Sequence, residues 1–172
     1  MTQELADLRT SILEERYGNA LAIVDDLESM GRKGILRHIK SFLMKMLIHL
    51  IKNQIEMRMT NSWAASIRDS VIEIQELNLQ DNQTSYYVKA EDWQSLLEES
   101  LPRAISTASV EVREGSYTPF QLKNMVDATQ IMKIAQELLY LTYQHSAIDL
   151  PDIINEYLTQ LPGGEDWKYG NF

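Results

Sequence analysis

One segment constrains this chain more than any other. Between residues 33 and 58 apolar side chains recur at helical spacing. Wound at about 100° per residue, Ile35, Ile39, Phe42, Leu43, Met46, Leu47 and Leu50 fill one broad arc. Ile48 and Ile51 fall outside it, so this helix is expected to be contacted on more than one side. Its most apolar stretch, 42–51, is ten residues long and includes Lys45 and His49, whereas a membrane span needs about 20 mostly uncharged residues. The segment reads as the central helix of a soluble core.

The rest of the chain fits around such a helix. Seven Gly and four Pro in 172 residues are few, which favours long helices over many turns. Leu5, Leu8 and Ile12 predict a first helix over about 3–16, punctuated by Gly18-Asn19. Leu21, Val24 and Leu27 predict a short second helix, with Gly31 as its left-handed stop. Thr60-Asn61-Ser62 offers N-cap side chains for a helix carrying Trp63, Ile67, Val71 and Ile74. Residues 79–90 lose the period and read as a polar connection. Tyr86-Tyr87-Val88 resembles a strand, but it has nothing to pair with.

From Glu91 the period returns through Trp93, Leu97, Leu101, Ala104 and Ala108, with Pro102 predicting a kink or a fresh start. Thr118-Pro119-Phe120-Gln121 fits a capping box that opens a long helix to about 144. Asp149-Leu150-Pro151 opens a last helix to about 160, closed by Pro162-Gly163-Gly164. The expectation is all-α: a bundle of about six to seven helices around the central one. Residues 1–165 would be a single domain and 166–172 a C-terminal tail.

Three segments of the chain resemble a known family. They are Asp25-Asp26-Leu27-Glu28-Ser29-Met30-Gly31-Arg32, then Leu47-Ile48-His49-Leu50-Ile51-Lys52, then Asn61-Ser62-Trp63-Ala64-Ala65-Ser66-Ile67-Arg68. In order and rough spacing they resemble the mainly cyanobacterial family catalogued as domain of unknown function 29. The likeness is best over about 19–78. The family pattern often carries an aromatic after the lysine, where this chain has Asn53. The resemblance implies an all-α bundle from a bacterium, a cyanobacterium in particular. It supplies no activity and no catalytic residue.

Charge sorts the candidate functions. Sixteen Lys+Arg against twenty-five Asp+Glu leave −9, an acidity that disfavours general nucleic-acid coating but not a local basic patch. Such a patch is present. Between 31 and 58 stand Arg32, Lys33, Arg37, Lys40, Lys45, Lys52 and Arg58, seven bases against Glu56 alone, a local balance of +6. Lys33, Arg37 and Lys40 fall on one side of the helix. Pairing with acidic helices of the same fold is the simpler use for them.

His49 is the other candidate, as a general base or a metal ligand. No carboxylate lies one turn away on either side, since positions 45, 46, 52 and 53 are Lys, Met, Lys and Asn. His38 lies three turns off and cannot share a metal with it. His145 has only Asp149 nearby in sequence, and Asp149 is better placed as an N-cap. Asp25/Asp26/Glu28, Glu73/Glu76 and Glu98/Glu99 read as solvated faces.

The chain has no cysteine, which removes thiolate chemistry, disulfides and zinc fingers together. There is no phosphate loop and no nucleophile elbow, so neither a cofactor nor a metal is expected. The N-terminus carries acids where an export signal needs bases, and the expected location is cytoplasmic with no membrane attachment. The expected function is non-enzymatic protein–protein interaction, with a protein partner or with itself. The alternative is a nucleic-acid or phosphate binder using the basic face of the third helix. The ligand-binding candidates are His49, Lys33, Arg37, Lys40 and Lys52.

Overall fold

The computed structural model describes residues 2–80, 82 and 84–172. Two positions of the expected polar connection, Asp81 and Gln83, lie outside the described residues, as does Met1. Among the described residues the chain is helical throughout, with no strand. The elements are α1 (Thr2–Leu13), α2 (Tyr17–Glu56), α3 (Asn61–Asn78), α4 (Trp93–Ala108), α5 (Pro119–Met125), α6 (Ala128–Gln144), α7 (Leu150–Leu158) and α8 (Gly164–Lys168). None of these helices is long and apolar enough to cross a membrane. The chain divides into two compact units, Met1–His38 and Ile39–Phe172. Helix α2 contributes residues 17–38 to the first and 39–56 to the second.

The largest departure from expectation is at Gly31. The second and third helices expected on either side of it are one helix, and the turn after α1 falls at 14–16, where Glu15 takes a φ of 58°. A helical glycine costs about 1 kcal/mol. That is too little to stop a helix flanked by Leu27, Glu28, Met30, Arg32 and Lys33. Likewise α4 runs through Pro102, which is exposed, so the carbonyl left without a donor can be hydrated. The long helix expected after Thr118 breaks at Val126-Asp127, because Asp127 caps a fresh helix by accepting from the Gln130 N–H at 3.1 Å.

Other local expectations hold. Thr60 Oγ1 accepts from the Trp63 N–H at 3.0 Å. Thr118 and Gln121 exchange both bonds of a capping box. Tyr86 makes one isolated bridge to Leu79 rather than a strand. Asp149 holds the N-cap position of α7, but its carboxylate accepts from the Ser146 hydroxyl instead of from the helix.

The second unit carries the hydrophobic core. Ile39, Leu43, Met46, Leu47, Leu50 and Ile51 of α2 are buried, as are Ile67 and Val71 of α3, Leu97 of α4, Ala135 and Leu138 of α6 and Ile154 of α7; α3 packs on α6 and α7, and α4 on α6. Ile48 is buried as well, so the second-side contact expected for the central helix is present. Two polar clamps fix its loops. Asn78 exchanges two hydrogen bonds with the Val88 backbone (2.7 and 2.9 Å), and the Tyr143 hydroxyl donates to the same carbonyl at 2.6 Å while accepting from Trp93 Nε1 at 2.6 Å.

Asn53, buried, donates to the carbonyls of Arg58 (3.0 Å) and Pro162 (2.8 Å), tying the end of α2 to the turn before α8. At that turn Gly163 has φ 71°, and an added Cβ would lie 2.6 Å from the Arg58 Cα. Only glycine fits there.

Candidate functional site

The residues singled out by charge divide between the two units. Lys33 and Arg37 lie in the first, are exposed, and make no ion pair among the described residues. Lys40, His49 and Lys52 lie in the second. Lys40 Nζ stands 3.5 Å from Glu99 Oε1 in an exposed pair, of the kind worth at most about 1 kcal/mol. Lys52 is mostly buried, with its Nζ 5.0 Å from the centre of the Trp63 ring and 4.0 Å from Glu111 Oε2. The expected pairing of basic residues within the fold is therefore found for Lys40 and Lys52, and not for Lys33 and Arg37.

His49 sits at the edge of the core. Its Nδ1–H donates to the Lys45 carbonyl at 2.8 Å, since a carbonyl can only accept. Burial holds its pKa below the usual histidine range. The bond to Lys45 opposes this, and Lys52 and Glu111 act in opposite senses. The ring is thus neutral near pH 7. No carboxylate hydrogen-bonds to it among the described residues, so no general-base pair is assembled around it.

A charged cleft of about 560 Å³ lies where the end of α2 meets the segment after α4. Sequence reasoning misses it, because its parts come from 52–63 and 111–116. Arg58 stacks on the Trp63 face at 4.5 Å. The Glu56 carboxylate uses both oxygens, one accepting from Arg58 Nε at 3.1 Å and the other from the Arg113 backbone N–H at 3.2 Å. Arg113 and Glu114 are both left-handed, with φ 46° and 58°, a conformation costing about 1 kcal/mol or more for each such residue. Three bases and three acids line the cleft. It is an internally compensated network that closes a loop, with little charge left over for a ligand. No group of three or more metal-ligating side chains is placed to hold an ion among the described residues.

The first unit has the opposite character. The chain reverses at 14–16, where the Arg16 N–H donates to the Ser11 carbonyl at 2.8 Å and Arg16 pairs with Glu14 at 2.7 Å. Between α1 and the start of α2 lies a shallow cleft of about 370 Å³ bordered by Asp7, Ser11, Asn19 and Ile23. Among the described residues of this unit only Ser11 and Ala20 are buried. Many of its large apolar side chains face water: Leu5, Ile12, Tyr17 and Met30 are about half exposed or more, Leu21 is 66% exposed and Leu13 74%, while Leu8, Ile23, Val24 and Leu27 are half-buried. The periodicity of Leu5, Leu8 and Ile12 marks an apolar face. What it cannot tell is that this face meets no core within the unit. Covering an apolar side chain is worth about 1.5–3 kcal/mol; Leu21 and Met30, nine residues apart, open on opposite sides of α2, so half-covering Leu5, Ile12, Leu13 and Leu21 by one partner would contribute about 4 kcal/mol. This is the candidate functional surface.

A family model described as domain of unknown function DUF29 matches residues 5–135, from within α1 to about the middle of α6. Neither a curated protein nor a solved structure matches the chain.

Proposed function

The chain belongs to the DUF29 family, and for it we propose a non-enzymatic protein–protein association module that works through the Met1–His38 unit. The observation that carries this reading is the uncovered apolar set Leu5, Ile12, Leu13, Leu21 and Met30 in a unit with almost no core of its own. Large apolar side chains left exposed in a unit without a core mark a contact surface more often than a neutral feature. The test is native mass spectrometry of the gently purified full chain and of a variant carrying Leu13→Asp and Leu21→Asp. Expected are complexes of the parent chain that the double variant loses, while its thermal unfolding is unchanged. A parent chain that is always a bare monomer, or complexes that survive both substitutions, would overturn the reading.

A second reading, binding of phosphate or nucleic acid by the basic face, is supported by Lys33 and Arg37, which are exposed and unpaired among the described residues. Lys40 is paired, and Lys52 is mostly buried, so the face is narrower than its sequence suggests. Binding of a short oligonucleotide that falls steeply with salt and is lost in Lys33→Glu/Arg37→Glu would favour it. No binding at low salt would remove it.

A further inference from the structure

The face of α2 that Leu21 opens has an internal symmetry. At 100° per residue, Leu21, Asp25, Glu28, Ser29, Arg32 and Leu36 fall within an arc of about 100°. All belong to the Met1–His38 unit. Leu21, Asp25, Glu28, Ser29 and Arg32 are exposed, and Leu36 is half-buried. About its midpoint Leu21 matches Leu36 and Asp25 is replaced by the opposite charge of Arg32, while Glu28 is set against the neutral Ser29. Leu21 and Leu36, Asp25 and Arg32, and Glu28 and Ser29 are pairs equidistant from the midpoint between 28 and 29.

Two copies of such a helix laid antiparallel about a two-fold axis at that midpoint would set Leu21 against the second copy's Leu36. Each Asp25 would meet an Arg32, twice over by symmetry. Within one chain Asp25 and Arg32 are about 10 Å apart along the axis and cannot pair. Neither they nor Glu28 makes an ion pair among the described residues.

We infer that the partner of the N-terminal unit is a second copy of this chain, docked antiparallel along residues 21–36 with Asp25 and Arg32 paired across the axis. This rests on the association reading above and gives it a partner and a register. Asp25 and Arg32 make the face complementary in charge to its own reverse, and a parallel register would set like charges against each other. The contact is about 22 Å long. That is short of the area of a permanent dimer, so the pairing is reversible, with a dissociation constant on the order of 100 µM.

The experiment is sedimentation velocity on the full chain at low salt, with Asp25→Arg and Arg32→Asp made separately and helix content checked by circular dichroism. Expected is a concentration-dependent dimer for the parent chain and at least tenfold weaker association for each variant alone. Mixing the two variants should restore the dimer. In the mixed pair the two substituted positions face each other with opposite charge at one end, and the native Arg32 faces the native Asp25 at the other. Variants that dimerise like the parent, or a mixture that stays monomeric, overturn the register. A parent chain that stays monomeric overturns self-pairing. In that case other-protein adducts that Leu13→Asp/Leu21→Asp abolishes would still uphold the association reading, whereas adducts that persist would sink both.

Discussion

The two units are built from the same helical material and differ in what their apolar faces meet. In Ile39–Phe172 the stripe of α2 is shut off from water, and Leu43, Met46, Leu47 and Ile51 are fully buried. In Met1–His38 the same helix, with α1 beside it, leaves Leu13, Leu21 and Met30 in water. An apolar face is therefore not yet a core. In one region it stabilises the fold, and in the other it is available for association.

The sharpest way to break this contrast is to make one change in both places. Leu47→Ala removes a fully buried side chain and should cost about 3–4 kcal/mol, whereas Leu13→Ala should change unfolding by about 0.5 kcal/mol or less. Chemical denaturation of the two variants measures both, and equal effects would erase the distinction. Gly163→Ala should destabilise the second unit by about 3 kcal/mol. It adds both a left-handed strain and a Cβ 2.6 Å from the Arg58 Cα, and the loss should appear as a lowered melting temperature.

Asn53→Leu should cost about 2 kcal/mol, because the Arg58 and Pro162 carbonyls would both lose their donor. A variant as stable as the parent would show that the clamp is dispensable. The smallest effect concerns His49. Its folded pKa is depressed, so the unfolded chain takes up a proton first, and stability should fall as pH drops below the unfolded value of about 6.5. Unfolding of His49→Gln should lack that part of the pH dependence. An unchanged profile would mean that the ring is not shielded from water.

Much of the architecture is legible in residue order because it is written locally. The capping box at Thr118, the N-cap at Thr60 and the stripes of α3 and α4 each depend on neighbours within a few positions. Boundaries are lost where a weak local signal is overridden, as at Gly31, or where a competing cap intervenes, as at Asp127.

The candidate site is less legible. Lys33 and Arg37, for which the charge pattern favours pairing within the fold, make no ion pair among the described residues, whereas Lys52, a ligand candidate by the same pattern, has its cation already placed over Trp63. No pattern in the sequence links 52 to 63 and 111. Ile48 and Ile51, outside the main apolar arc, are buried in the second unit. Exposed apolar side chains stand instead on Leu5, Ile12, Leu13 and Leu21 in the first unit and on Met57, Phe120 and Ile148 in the second, because helical periodicity names a face without saying what covers it.

Hydrogen exchange followed by mass spectrometry, on the full chain at a low and a high protein concentration, tests the contrast most directly. Amides of residues 2–38 should be weakly protected in dilute solution and gain protection as concentration rises, while those of 39–56 stay strongly protected throughout. Uniform protection along all of α2 in dilute solution, unchanged on concentration, would contradict an N-terminal surface that waits for a second copy.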